Sequence, residues 1–238
     1  MKYEITDKAF AIRERTFYRI KALVAIPSKG VKAGDIGGYV ESADNLSQEG
    51  AAWIDGDAMV YDKAKVYDDA WVCGTAEVYG AARVSGTARV SGHARVYDDA
   101  RVCDDAQVYE HAFVFGRALV SESARVWDYA RISDEAIVSG KAWVSGNARV
   151  CGNAIVSDRA NVFDSASVFE NAGVSGDAQV SGQAQVSGRA TIGGTATIGG
   201  RAEIRGSAEI SGGASADGPA NEGRTEGTET TDTKRQCK

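Results

Sequence analysis

Two histidines, His93 and His111, are the only imidazoles in the 238-residue chain, and they stand eighteen residues apart. Such a side chain can draw a proton from a hydroxyl or amine nucleophile, because its pKa lies near neutrality. A zinc site asks for more. Tight binding uses three or four protein ligands, and only Glu110 is an obvious neighbour, so no metal is expected. Four cysteines, Cys73, Cys103, Cys151 and Cys237, offer disulfides or reactive thiolates. Arg83, Arg89, Arg95 and Arg101 recur every six residues, as a stripe for phosphates could. The glycine pairs at Gly193 and Gly199 lack the strand-to-helix context that makes a phosphate cradle.

A repeat decides where these residues lie. Every sixth residue from Ala52 to Ala214 is alanine, twenty-eight positions without exception. All twenty-seven positions two residues later, Ile54 to Ile210, are Val or Ile, and two further on each is Gly, Asp or Glu. The unit reads Ala-x-Val-y-(Gly/Asp)-z. In an extended segment Ala and Val point to one side, x and y to the other, and the Gly/Asp and z positions supply a corner. With thirty-eight alanines and only three leucines the chain cannot fill a helical core. Stacked strands bury Ala and Val instead, each pairing with the coil above and below at ~4.8 Å.

A coil of eighteen residues follows from the outward side chains. Tyr61, Tyr79, Tyr97 and Phe115 are eighteen apart, as are Trp53 and Trp71, and Leu119, Ile137 and Ile155. One corner column alternates as Asp62, Gly80, Asp98, Gly116, Asp134, Gly152, which keeps like charges off directly paired strands. His93, His111 and Tyr129 then share a corner with Thr75, Asn147 and Ser165, company that reads as solvated corner residues. Cys73, Cys103 and Cys151 fall on three different sides and cannot pair, because a disulfide needs Cα atoms within ~7 Å. The arginines walk around the prism, so only Lys65, Arg83 and Arg101 share a side. With a net charge of −6, neither nucleic acid nor an anionic membrane is the expected partner.

The spacing of Val60 with Ala64, Val84 with Ala88 and Ile192 with Ala196 resembles the hexapeptide-repeat proteins. The block from Val31 to Glu41, followed by Asn45-Leu46-Ser47-Gln48-Glu49-Gly50, is similar to the N-terminal segment of the YdcK-like repeat proteins of enterobacteria and prophages. That resemblance implies an all-β fold, a left-handed parallel β-helix of about nine three-sided coils. The boundaries it suggests are a non-repeat N-terminal β cap over 1–51, the hexapeptide-repeat β-helix over 52–214, and a disordered tail over 215–238. The tail expectation rests on its Ser, Gly, Thr and mixed charges.

Within the wider superfamily, similar enzymes are acyltransferases that use a histidine base between subunits and acetyl-coenzyme A as donor. That likeness makes His93 and His111 the catalytic candidates. Those enzymes also interrupt their coils with a loop that shapes the pocket, and no residue is inserted here between Ala52 and Ala214. The favoured expectation is a non-catalytic structural or interaction protein, an oligomerising rod with no cofactor that presents regular faces to itself or to another protein. An acyltransferase with an inter-subunit site and a small-ligand binder between protomers are the alternatives. The expected interface is Met59, Tyr61, Tyr79, Tyr97, Phe113 and Phe115, a row that would stand largely in water in a monomer, and the analogy implies a trimer. Charges throughout the first twenty-six residues leave no apolar signal segment, so the expected location is the cytoplasm.

Overall fold

A computed structural model describes residues 1–12 and 14–218. The chain is an all-β parallel solenoid of about ten turns with three sheets, of twelve, ten and nine strands. Among the described residues helix is confined to two single 3-10 turns, Pro27–Lys29 and Ala43–Asn45, and none is long and apolar enough to cross a membrane. We name the faces by their outward side chains. The tyrosine face begins at Met59–Val60, the serine face at Lys65–Val66 and the tryptophan face at Trp53–Ile54.

Each six-residue unit spends its backbone in the same way. The N–H groups of x, y and z donate to carbonyls seventeen residues on, as in Leu119 to Ala136 (2.9 Å), Ser121 to Val138 (3.0 Å) and Ser123 to Gly140 (2.8 Å). A turn bond from Ala124 N–H to the Ser121 carbonyl, 3.2 Å, then closes the corner. Inside, the Ala and Val side chains are wholly buried through the middle of the stack, and the burial loosens only at Ile204, Ala208 and Ile210.

The corners depend on carboxylates. Among the described residues eleven non-glycine positions have positive φ, all of them Asp or Glu in a corner column, for instance Asp134 at φ 59°. Ten of these accept the N–H of the corner residue one coil later, as Asp134 does from Gly152 at 2.9 Å. The Asp/Gly alternation therefore does more than separate charge. It supplies an acceptor for an N–H that the carbonyl ladder leaves out. Gly140, at φ 68°, shows the other member of the alternation, since a Cβ there would lie 2.6 Å from the Asp158 nitrogen.

The N-terminal region is built to meet the open first coil. β1 (Tyr3–Ile12) and β2 (Arg15–Ala22) form an antiparallel hairpin, and β3 (Ile36–Val40) joins β2 to the stack by pairing in parallel with Met59–Val60. Thus the stack starts before Ala52, and the tyrosine face, like the tryptophan face, runs ten parallel strands. Gly37 permits the approach, because a Cβ there would sit 2.5 Å from the Ile54 carbonyl. Every bond of the ladder leaves carbonyls of the first coil facing the N-terminal end, and the cap answers with donors. Tyr39 N–H reaches the Ala58 carbonyl (2.8 Å), Ser47 N–H that of Val66 (2.9 Å), and the Asn45 amide those of Asp62 (3.1 Å) and Ala64 (3.0 Å). The Lys2 ammonium donates to the carbonyls of Glu49 (3.1 Å) and Gly50 (3.3 Å). The edge of β1 is itself blunted, since the Gln48 amide accepts from Tyr3 N–H and donates to the Tyr3 carbonyl, and the pairing is irregular between Ile5 and Ala9.

At the other end the boundary at Ala214 is corrected. Ser215–Asp217 forms a further strand on Thr197–Gly199, and Ala216 is buried. Ala216 occupies the position that Val or Ile holds in every earlier unit, so a smaller apolar residue carries the register three residues farther. Residues 219–238, and with them Cys237 and the rest of the expected tail, lie outside the described residues.

Two outcomes are expected from this architecture. Asp134→Ala removes the corner acceptor and keeps a left-handed residue, at a cost of about 1–2 kcal/mol in urea unfolding, whereas Asp134→Gly relieves the backbone and stays within about 0.5 kcal/mol of wild type. Burial pushes the Lys2 ammonium down to about 8, against the pull of the Asp69 carboxylate. From there to the ordinary lysine range the unfolded chain binds the proton that the folded chain has lost, so stability should climb with pH across that window. Unfolding titrations should show wild type gaining on Lys2→Met between about pH 8 and 10.5 and a constant difference above it.

Candidate functional site

The corner that carries the histidines is a ladder of planar side chains. The His93 and His111 rings stack with centroids 4.8 Å apart and planes 12° from parallel, and His111 stacks on Tyr129 at 4.9 Å and 3°. The Thr75 hydroxyl lies 2.6 Å from His93 Nδ1. Both histidines and Tyr129 are exposed. The carboxylate of Glu110 is directed elsewhere. It accepts the N–H of Asp128 at 3.2 Å, and the hydrogen-bonded Asp128 carboxyl beside it raises its pKa. Among the described residues no three His, Cys, Asp or Glu side chains gather as metal ligands would.

The six expected interface residues do lie together on the tyrosine face. Tyr61, Tyr79, Tyr97 and Phe115 form a continuous stack, with centroid separations of 5.0, 4.9 and 5.0 Å and planes within 5° of parallel. Met59 and Phe113 stand on the same face, one strand position earlier in their units, and Arg95 and Arg131 cover Phe113 at 5.9 and 5.3 Å. All six residues are half-buried within the single chain. The expectation that a monomer leaves this row largely in water is therefore corrected. Rings at rung spacing cover one another, and each is solvated only along its edge. Burial raises the pKa of Tyr61, Tyr79 and Tyr97, with the Glu77 carboxylate adding to the effect at Tyr61 through a 3.2 Å hydrogen bond.

Sequence periodicity missed the upper end of this ladder. Phe17, from β2, meets Tyr61 edge-to-face at 5.4 Å and stacks on Phe10, which in turn abuts Tyr39. The cap thus continues the aromatic row in a segment with no repeat. The signal available was the pair Phe10 and Phe17 in two alternating segments that can pair as a hairpin.

The tryptophan face is arranged differently. Trp71 is held between two cations, the Lys29 ammonium at 5.6 Å and the Arg89 guanidinium at 4.5 Å from its ring centroid, and burial lowers the Lys29 pKa. Tyr109 stacks on Trp127 at 5.7 Å, Trp127 meets Trp143 edge-on at 5.8 Å, and Trp143 is exposed. The three cysteines occupy three faces as expected. Cys73 is buried under Arg89, and burial raises all three thiol pKa values, that of Cys103 to about 11. None is poised as a nucleophile at neutral pH.

The serine face carries the third arrangement. Lys65, Arg83 and Arg101 sit on directly paired strands, followed by Leu119, Ile137 and Ile155, while the neighbouring outward column reads Tyr67, Ser85, Cys103, Ser121, Ser139 and Ser157. Acidic residues are rare on the faces and concentrated in the corners, because the left-handed corner conformation and its orphan N–H both favour a short carboxylate.

Four segments of the chain, residues 88–104, 94–110, 130–146 and 142–158, match the family model of the YdcK beta solenoid repeat. Comparison of the sequence with curated proteins finds no match.

Proposed function

From the premise that the chain is a β-solenoid of YdcK repeats, we propose that it is a non-catalytic interaction rod that associates with copies of itself and presents regular faces to a protein partner. One observation carries the reading: the coils run without a break from Ala52 to Ala214, and the side chains inside them are packed against each other from Ile54 to Ile198. A filled prism works through its surface. What varies from coil to coil is the outward columns, and these sort into rows of one chemical character, which is the form that recognition by a flat surface takes. The row of Met59, Tyr61, Tyr79, Tyr97, Phe113 and Phe115 is one such contact surface. Three copies is the state that the resemblance to other β-helices implies, and unpaired thiols on three separate faces support a cytoplasmic address.

The exposed pair His93 and His111 supports a second reading, an acyltransferase in which one imidazole acts as base on an acceptor hydroxyl or amine and acetyl-coenzyme A is the donor.

Light scattering at micromolar concentration is expected to return an oligomeric mass for wild type and a smaller mass for the Tyr79→Asp, Tyr97→Asp double variant, with the β circular dichroism retained. A monomeric wild type would contradict self-association. An unchanged mass in the double variant would assign the ladder to stacking within the chain or to a foreign partner instead. For the enzymatic alternative, no transfer from acetyl-coenzyme A to a panel of sugars, amino acids and amines is expected, and turnover abolished by His93→Ala or His111→Ala in folded protein would overturn the leading reading.

A further inference from the structure

Below the aromatic ladder, the same outward column of the tyrosine face runs on as Ser133, Cys151, Phe169, Ser187 and Arg205. The last three stand on successive rungs, since Phe169 N–H donates to the Val186 carbonyl (3.0 Å) and Ser187 N–H to that of Ile204 (2.9 Å). The column thus sets a phenyl ring above a serine and a guanidinium below it. Between them lies an open notch of 410 Å³, lined by Phe169, Glu170, Ser187, Gly188, Arg205 and Gly206.

The notch has the dimensions of one missing ring. Phe169 and Arg205 are two rungs apart, about 9.6 Å at the strand spacing, so a flat ring at the level of Ser187 lies about 4.8 Å from each. Tyr79 already has that arrangement in the same column, 5.0 Å from Tyr61 and 4.9 Å from Tyr97. Ser187 is only 5% exposed, and among the described residues its hydroxyl meets no hydrogen-bond partner. A buried hydroxyl without a partner carries a desolvation cost that a polar atom on an inserted ring would offset. The corner side of the notch is glycine at both levels, and a Cβ at Gly206 would meet nothing within 4 Å, which leaves a way in. Residues 219–238 contain no aromatic side chain, so the segment that follows cannot supply the ring.

We propose that this notch binds a neutral phenol ring, stacked between Phe169 and the Arg205 guanidinium. A phenyl face and a guanidinium both favour an aromatic ring between them. Charge selects against an anionic one. Arg205 is already paired with Glu203 at 2.5 Å, while the exposed Glu170 is outside every ion pair among the described residues. Its carboxylate is fixed at the mouth by the Gly188 N–H, 2.7 Å away. The notch therefore offers two acceptors, the Glu170 carboxylate and the Ser187 hydroxyl, to the O–H of a phenol. It lies three coils below Phe115, outside the proposed contact row, and needs no second copy of the chain. A phenol can come from a free small molecule or from a tyrosine of another protein, and the probes below separate the two.

Amide NMR of the full chain provides the test, with p-cresol and a blocked Gly-Gly-Tyr-Gly-Gly peptide as probes. The Gly188 and Gly206 amides should shift saturably with p-cresol, at the low-millimolar dissociation constant expected of a single ring. Arg205→Ala should weaken that binding about threefold. Benzoate, similar in size and negatively charged, should bind at least about threefold more weakly than p-cresol. Ser187→Phe installs the missing ring in the chain itself. It should abolish the shifts and leave the melting temperature equal or higher. Shifts from the peptide as well as from p-cresol assign the site to tyrosine side chains, shifts from p-cresol alone assign it to free phenols, and either upholds the notch as a phenol site. The proposal is overturned by the absence of a saturable shift at tens of millimolar p-cresol, by shifts that survive Ser187→Phe, by a Ser187→Phe chain that melts lower, or by benzoate binding as well as p-cresol.

Discussion

The inter-coil hydrogen bonds of x, y and z all point the same way along the rod, from an N–H to a carbonyl seventeen residues later. This single direction gives the solenoid two unlike ends. At the N-terminal end the first coil offers acceptors, and the residues that cover it are donors: backbone N–H groups of Tyr39 and Ser47, the amide of Asn45, the ammonium of Lys2. It also settles the corner chemistry. A corner N–H points back toward the preceding coil, and an Asp or Glu there supplies the acceptor by adopting a left-handed backbone that would otherwise be costly.

Charge segregation is a by-product of that corner chemistry. Carboxylates are drawn to corners by a backbone need, and the flat faces keep the cations and rings. A chain with a net charge of −6 therefore still displays rows of Lys and Arg with no acid beside them. Some of those cations are absorbed by aromatic neighbours, as Arg89 is by Trp71, and Arg95 and Arg131 are by Phe113. Lys65, Arg83 and Arg101 take part in none of the cation–ring contacts among the described residues.

Most of the solenoid was legible in the sequence, because a hexad that never breaks fixes strand, corner and inward side in one pattern. The eighteen-residue spacing of Tyr61, Tyr79 and Tyr97, and the separation of Cys73, Cys103 and Cys151 onto three faces, follow from it directly. What escaped lies where the pattern stops without the stack stopping. Ile36–Val40 joins the sheet with Gly38 where the repeat has alanine and Val40 in the valine place, and Ala216 stands in for Val at the far end. The ladder's half-burial escaped for another reason. Alternation tells which side chains face outward, and carries no information on how far stacked neighbours cover each other. Phe17 was hidden likewise, since its contact with Tyr61 crosses from the cap into the repeat.

The strict eighteen-residue column has a consequence for how such a chain can change length. Adding or removing one whole coil leaves every outward row in line, because each residue still sits above its former neighbour's successor. A change of six residues preserves the Ala and Val interior equally well, yet turns everything downstream by one side of the prism. Tyr97 would then continue a row that began on another face, and the rows of rings, serines and cations would each break at the join. Packing alone tolerates either edit. Only the outer rows distinguish them, so the rod's length is quantised in coils by its surface and in hexads by its core.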